Sequence, residues 1–180
     1  MWSGGIDSTY TLAKLLKETD HAVHVHHIRL VNREGRQDLE EKACLTLLPK
    51  LKAIRDFTHT TTLINHTRIP QIPYDMAIVC FEAGVISRAL EVSGVKPDKW
   101  TIGTHLAEGH NYERWEVIKH ACNAGSWPQK CAEFELQPMV SKKEEMVYLH
   151  YLGLLSDCWY CRSPVEDKPC GKCKTCLEVI

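Results

Sequence analysis

The sequence predicts an α/β fold with a doubly wound, mostly parallel sheet, because short apolar strands and amphipathic helices alternate along most of the chain. Its 180 residues are 44% hydrophobic and 25% charged, as is ordinary for one folded domain. Near the C-terminus the alternation stops, and Cys, Pro, Gly and Lys replace the apolar periodicity. We therefore expect one compact unit, with a main domain over residues 1–155 and a small zinc-binding element over 156–180.

In the first half of the chain, a period near 3.6 predicts helices and β-branched runs predict strands. Helices are expected at 8–18 and 39–54, and strands at 21–30 and 60–65. The first helix has leucines at helical spacing, namely Leu12, Leu15 and Leu16. The second has one apolar stripe, formed by Leu39, Ala43, Leu47, Leu48 and Leu51. Both stripes should face the sheet.

The second half continues the same alternation. Helices are expected at 75–92, 113–124 and 143–152, a strand at 99–104, and a short apolar segment at 136–140. In the helix at 75–92 the expected core residues are Ala77, Ile78, Phe81, Val85 and Leu90. The charge run at 142–145 is expected to be a solvent-exposed helix face.

One strand of the predicted sheet is missing or truncated. Only Met1 and Trp2 precede the loop before the first helix, where a doubly wound sheet would have an apolar strand. We expect the natural start to lie upstream of Met1, or another segment to fill this place.

The overall charge argues against a protein that holds nucleic acid by broad electrostatics. Lys+Arg 22 against Asp+Glu 23 leave a net charge of -1, whereas such proteins carry a strong basic excess. No apolar run reaches the roughly 20 residues that span a bilayer, and the start lacks the pattern of a secretory signal. We expect a cytoplasmic protein with no membrane span and no stable nucleic-acid binding.

The loop before the first helix has the composition of an anion site, with the sequence Ser3-Gly4-Gly5-Ile6-Asp7-Ser8. Adjacent glycines let the backbone approach a ligand, and the N–H groups of a helix start together with serine hydroxyls favour a phosphate or pyrophosphate. Asp7 suits a Mg²⁺ ion that accompanies the anion. The alternative is a capped turn in which Asp7 or Ser8 is the helix N-cap.

Five of the 9 cysteines lie close together near the C-terminus. Four of them have the spacing C-x8-C-x2-C-x2-C and are Cys161, Cys170, Cys173 and Cys176. Four thiolates in a tetrahedral array suit a structural Zn²⁺ ion; an iron–sulfur cluster, a redox-active dithiol and free thiols are the alternatives. Because Cys158 forms a further C-x2-C unit with Cys161, it is the alternative fourth ligand.

Ser-Gly-Gly-Ile-Asp-Ser resembles the SGGxDS signature of the N-type ATP pyrophosphatases, which split ATP into AMP and pyrophosphate while adenylating a substrate. Together with the cysteine spacing, it resembles the 7-cyano-7-deazaguanine synthase family, which makes the nitrile of queuosine biosynthesis. The resemblance spans nearly the whole chain and implies a sheet like that of adenine nucleotide alpha hydrolases. It also implies a homodimer that uses ATP, Mg²⁺ and Zn²⁺ to convert 7-carboxy-7-deazaguanine and ammonia into 7-cyano-7-deazaguanine, by adenylation and through an amide.

The resemblance also assigns roles to individual residues. It implies that ATP is bound by Ser3, Gly4, Gly5, Ile6, Asp7 and Ser8. The segment 138–144 looks like the family's Pro…Ser/Thr-Lys-x-Glu element, in which the lysine reaches the ATP phosphates, so Asp7 and Lys142 are the implied catalytic residues. Glu108 and Tyr112 fall in the implied substrate loop. Ser141 and Glu144 additionally fit a capping box.

Two loops depart from the family pattern, after the second strand and around Glu113-Arg114-Trp115. The alternatives are therefore a tRNA-thiolating member of the superfamily and a relative that binds zinc and nucleotide without catalysis. A metal site at the histidines of the second strand, and a catalytic role for those after the fourth strand, are the less favoured interpretations. We expect ordinary strand or loop residues at His24, His26, His27, His105 and His110.

Overall fold

Helices and short parallel strands alternate in the computed structural model, which describes residues 1–69, 75–105, 112–137 and 139–179. The helices are α1 (Ile6–Glu18), α2 (Gln37–Ile54), α3 (Asp75–Val92), α4 (Tyr112–Gly125), α5 (Lys142–Tyr151) and α6 (Lys174–Val179). The strands are β1 (His24–Val31), β2 (Thr58–Asn65), β3 (Lys99–Trp100) and β4 (Glu133–Phe134). The five predicted helices are confirmed, with ends shifted by two residues at most, and α6 was not predicted. None of the described helices is both long and apolar enough to cross a bilayer.

The strands form two separate parallel pairs. β1 pairs with β2 along its whole length, in the register His24↔Thr58 to Val31↔Asn65. β3 pairs with β4 through two residues only, and the rest of the predicted strand at 99–104 has no ladder. The architecture is therefore mixed α/β with small parallel sheets, and the predicted doubly wound sheet is not present as one continuous sheet among the described residues.

The first two residues lie between the two strand pairs. The Trp2 N–H donates to the His26 carbonyl of β1 over 2.9 Å. The Met1 ammonium donates to the carbonyl of Thr101, just after β3, also over 2.9 Å. The loop that follows Trp2 therefore starts between β1, at the level of His26, and the segment after β3.

The main core packs helices α1, α2 and α5 around β1. Its buried members include Trp2, Leu12, Leu16, Val25, Leu47, Leu51, Leu149 and Leu154. Much of the apolar stripe predicted for each of the first two helices is buried here, as expected from the helical period. Since α1 and α5 both belong to this core, the start of α5 is held beside the start of α1.

Helix α3 buries a different face from the one predicted. Its buried residues are Cys80, Glu82, Ala83, Gly84 and Ser87, whereas Phe81 is 46% exposed. The reason is close packing on α4, because a Cβ at Gly84 would lie 2.0 Å from the Cys122 carbonyl oxygen. Small residues therefore define this contact, and the pattern of large apolar side chains does not reveal it. Cys122 also forms a disulfide with Cys131, which the sequence did not predict.

Gly84→Ala is expected to destabilise the protein by about 2 kcal/mol, because the added methyl meets the backbone of α4. Alanine is the better helix former by about 1 kcal/mol, so propensity alone predicts the opposite sign. Urea unfolding measures the difference. Ala89→Gly, at an exposed position of the same helix, calibrates the propensity effect. A Gly84→Ala protein more stable than the wild type would contradict the close approach.

Candidate functional site

One large cleft of about 780 Å³ brings the two ends of the chain together. Its lining includes the loop at 3–8, the carboxyl end of β1, Lys142 at the start of α5, and residues 159–163 of the C-terminal element. The loop and the cysteine element, which are far apart in sequence, therefore share one cleft. This is the place where an anion held by the loop would lie.

The loop at 3–8 is held closed by hydrogen bonds to its own serine hydroxyls. The Ser3 and Ser8 Oγ atoms lie 3.0 Å apart, and the Ser3 N–H donates to Ser8 Oγ over 3.2 Å. Gly4 has φ +73, and a Cβ there would lie 3.0 Å from Cys44 Sγ, so both its conformation and the space require glycine. The N-cap of α1 is Gly5, without a side-chain cap, so the alternative with Asp7 or Ser8 as N-cap is wrong.

The segment after β3 supports the junction between this loop and α1. The backbone at Gly103 lies against α1 so closely that a Cβ there would be 2.3 Å from Ser8 N. Two residues further on, His105 is buried and its Nδ1 lies 3.4 Å from Asp7 Oδ1. The carboxyl end of the β3 segment therefore positions the first turn of α1.

Lys142, Asp7 and Glu145 form a charge cluster at the loop. Lys142 Nζ pairs with Asp7 Oδ1 and lies 3.3 Å from Glu145 Oε2. The structure thus brings together the two residues that the resemblance implies as catalytic. Ser141 and Glu144 form the predicted capping box, which fixes the start of α5 and so the base of the Lys142 side chain.

Glu145 is the member of this cluster that the sequence analysis missed. It is 0% exposed, so the expectation of a solvent-exposed charge run at 142–145 is wrong at this residue. The helical period contains the signal, since Glu145 lies four residues before the buried Leu149 and three after Lys142. A carboxyl group therefore lies under the lysine, on the core side of α5.

The surroundings of Asp7 and Glu145 shift the pKa values of these two carboxyl groups in opposite directions. Burial alone would raise the pKa of Asp7, but hydrogen bonds from His105 and Glu145 and the charge of Lys142 outweigh it and hold that pKa well below its usual range. Burial, and then the Asp7 carboxylate, raise the pKa of Glu145 to about 9. At neutral pH Asp7 is ionised and Glu145 carries a proton.

Glu145→Gln is expected to stabilise the protein increasingly as pH rises from 5 to 9. Unfolding lets Glu145 lose its proton near pH 4.5, whereas the folded protein keeps it up to about pH 9, so the wild type loses stability across that window. The Glu145→Gln variant has no titrating carboxyl group at this position, so it does not lose stability as pH rises. We expect equal free energies of unfolding near pH 4 and a difference of about 5 kcal/mol at pH 8, measured by urea unfolding. A difference independent of pH would contradict the assignment.

Four cysteine sulfurs near the C-terminus form a group that could hold a metal ion such as zinc. The cluster consists of Cys161, Cys170, Cys173 and Cys176, with all sulfurs within 4.8 Å of one another. The separations Cys161–Cys173 and Cys170–Cys176 are 4.0 and 3.9 Å. A Zn–S distance of about 2.3 Å in a tetrahedron gives about 3.8 Å between sulfurs. The spacing fits one ion and leaves too little room for a cluster of several irons.

Backbone N–H groups turn toward these sulfurs and favour thiolates. Cys170 N donates to Cys161 Sγ over 3.2 Å, and Cys173 N donates to Cys170 Sγ over 3.3 Å. A hydrogen bond with the Thr175 hydroxyl is the main cause that lowers the pKa of Cys173 to about 5. The donor set is thus that expected for a soft, four-coordinate metal site.

Cys158 is not part of this cluster. It is buried in the main core, and its Sγ contacts the Leu154 carbonyl at 3.5 Å. Burial raises the pKa of Cys158 to about 12, so it stays a thiol. The structure thus groups Cys161, and not Cys158, with the other three cysteines.

The cysteine element touches the loop directly. The Trp159 N–H donates to the Gly4 carbonyl over 3.0 Å, and the Trp159 indole donates to the Cys161 carbonyl over 2.8 Å. Trp159 therefore links a candidate metal ligand to the backbone of the loop. A well-ordered cysteine element should therefore help to order the loop at 3–8, and a well-ordered loop should help to order the cysteine element.

A second group of charges at the cleft joins α2, α3 and the cysteine element. Asp75 Oδ2 accepts from Arg36 Nη2 over 2.8 Å and from Arg162 Nη2 over 2.7 Å. Arg36 also pairs with Glu34 and Glu40, so two arginines face three carboxyl groups here, and the Arg162 side chain is 47% exposed. Nothing in the sequence pattern indicated this group, because its members come from separate parts of the chain.

The remaining predicted residues have simpler roles or cannot be placed. His26 hydrogen-bonds the Thr60 and Thr62 hydroxyls, and His27 Nδ1 contacts the Trp2 carbonyl, as expected of strand residues. Glu108 and His110 lie outside the described residues. Tyr112 is the first residue of α4, and its side chain is also outside them. The implied substrate loop is therefore untested.

Comparison of the chain with models of protein families, with curated proteins and with solved structures finds no match. The assignment of a function therefore depends on the geometry of the cleft and on the chemistry of its side chains.

Proposed function

We propose that this protein is an ATP-dependent enzyme that adenylates a carboxylate and converts it to a nitrile, as 7-cyano-7-deazaguanine synthases do. The observation that carries the proposal is the pairing of Lys142 with Asp7 at the start of α1, across 135 residues of sequence. A lysine beside a helix N-terminus and a glycine loop supplies the positive potential that a pyrophosphate group needs. The cleft beyond it has room for a nucleotide and an acceptor.

The proposal includes a doubly wound sheet whose two halves are the strand pairs β1–β2 and β3–β4. The backbone bonds of Met1 and Trp2 to both halves support it, because they give the central position to the residues that enter the loop. A loop at the carboxyl end of a central strand is where open α/β sheets bind their ligands.

In this proposal the loop residues at 3–8 hold the phosphates of ATP. The N–H groups of the first turn of α1 and the Ser3 and Ser8 hydroxyls donate to phosphate oxygens, and Lys142 pairs with their charge. Asp7 is 30% exposed and ionised, which suits a hard cation, so it would hold the Mg²⁺ that accompanies ATP and offsets phosphate charge. The role of the protein is to position the reactants and to stabilise the phosphate charge, and the reaction requires no side-chain nucleophile.

The reaction balances with two molecules of ATP. A carboxylate oxygen attacks the α-phosphorus and pyrophosphate leaves; ammonia then displaces AMP from the acyl carbon to give an amide. The amide oxygen attacks a second ATP, pyrophosphate leaves again, and loss of AMP and two protons from the adenylated amide gives the nitrile. The half-exposed Arg162 side chain, which also pairs with Asp75, lies at the cleft and would meet an anionic acceptor there.

The four-cysteine cluster would hold a structural Zn²⁺, which when bound fixes the fold of the C-terminal element. With four sulfur ligands the ion has no open position for substrate, so the proposal gives it no catalytic step. Trp159 transmits the order of this element to the loop.

Sulfur transfer to tRNA is less well supported. It would need a reactive cysteine pair, and the nearest candidate is Cys158 with Cys161. Cys158 is a buried thiol with a raised pKa, and Cys161 belongs to the metal cluster. The homodimer stays a prediction.

Product mass spectrometry tests the proposal. The 180-residue chain is incubated with Mg-ATP, ammonium and 7-carboxy-7-deazaguanine, and omission of ammonium is the control. We expect AMP and the nitrile with ammonium, and no nitrile without it. AMP without nitrile would retain the adenylation chemistry and point to another acceptor. No consumption of ATP would contradict the enzyme proposal.

A further inference from the structure

The burial of Glu145 contributes unfavourably to the free energy of folding. It is 0% exposed, and within the described part of the chain no backbone group hydrogen-bonds to either of its carboxyl oxygens. Burying a polar group with so few partners opposes folding, and an apolar side chain of the same length would avoid this. Its polar neighbours are those of the cluster, Lys142 and Asp7.

The Glu145 side chain is not needed to form the first turn of α5. The capping box of Ser141 and Glu144 already satisfies the first turn. Glu145 instead points to the core side of the helix, one turn before Leu149. Its side chain therefore acts on the cluster and not on the helix end.

We propose that Glu145 is a positioning residue that bridges Asp7 and Lys142 and holds the Lys142 ammonium over the phosphate-binding loop. The inference rests on the proposed function. One carboxyl oxygen faces Lys142 Nζ at 3.3 Å, and the group also contacts Asp7, so a single side chain sets the direction of both.

The bridge matters because a lysine side chain has many rotamers. Lys142 is 14% exposed on its side chain and reaches the cleft from the helix start. An ammonium already aimed at the loop loses less conformational entropy when it pairs with a phosphate. Removing the bridge should therefore weaken binding of a phosphate anion while leaving the fold intact.

Isothermal titration with inorganic pyrophosphate tests the inference, using Glu145→Met and Glu145→Gln. Glutamine can accept from Lys142 and donate to Asp7, whereas methionine can do neither. We expect at least tenfold weaker binding for Glu145→Met and no more than threefold for Glu145→Gln. Glu82→Met is the matched control, because it replaces a buried glutamate of α3 that does not line the cleft. Thermal unfolding checks that every variant is folded.

A double-mutant cycle separates positioning from a structural effect. In a Lys142→Met background, Glu145→Met should weaken pyrophosphate binding no further, since the residue it positions is gone. Equal losses in both backgrounds, or wild-type affinity in Glu145→Met, would overturn the inference alone. A wild-type protein that binds neither pyrophosphate nor Mg-ATP would overturn the proposed function, and the inference with it.

Discussion

Cys173→Ser is expected to lower zinc affinity by about 10²–10³-fold and to unfold the C-terminal element. Zinc bound by four ligands contributes about 10–16 kcal/mol in small domains, so one ligand accounts for about 2.5–4 kcal/mol. The element has little else to hold it, because α6 has six residues and most side chains from 162 to 172 are exposed. Metal analysis of the purified protein and proteolysis in this segment measure the two effects.

Cys158→Ser is the matched control, because it makes the same substitution three residues before a ligand. It should keep one zinc per chain and lose stability through the main core, where Cys158 packs. The assignment is contradicted if Cys158→Ser loses zinc while Cys173→Ser keeps it.

Loss of the metal should also weaken the nucleotide binding that we propose for the loop. Trp159 joins the Cys161 carbonyl to the Gly4 carbonyl, so an unfolded cysteine element releases one side of the loop. We expect a lower affinity for Mg-ATP after chelation, with recovery on adding Zn²⁺ back. The effect on affinity distinguishes a cysteine element that supports the loop from an independent appendage.

The parts of the site that could be predicted from the sequence are the motifs defined by the spacing of neighbouring residues. The loop at 3–8 and the four cysteines are short motifs whose geometry follows from nearest neighbours, and the structure places both on the cleft. The choice of Cys161 over Cys158 needed the fold, because both spacings are compatible with a metal. Only the packing of Cys158 against Leu154 decides between them.

The parts that could not be predicted depend on contacts between distant elements. The charge of Glu145 suggested an exposed face, and only the packing of α5 on α1 buries it. The core face of α3 was predicted from large apolar residues, but backbone contact at Gly84 decides it. The continuous sheet was predicted from alternation, which fixes the order of elements and not the length of each ladder.

Lys142→Met is expected to lower kcat/KM for ATP by about 10²–10³-fold, or about 3–4 kcal/mol. The lysine pairs with Asp7 at the point where pyrophosphate charge develops in the proposed reaction. Its loss removes an interaction that strengthens in the transition state, so kcat should fall more than KM rises. Steady-state release of pyrophosphate measures both constants.

Lys143→Met is the matched control, since it removes the same charge from the next residue, which is exposed and does not line the cleft. It should change kcat/KM less than twofold. Removing Lys142 also leaves the Asp7 carboxylate without its cation, which lowers stability. The Asp7→Asn, Lys142→Met double variant removes both charges and should recover stability without recovering activity. If the Lys142→Met protein were as active as Lys143→Met, the pairing with Asp7 would be a structural ion pair, and in the proposed reaction the pyrophosphate would have to be held by the loop alone.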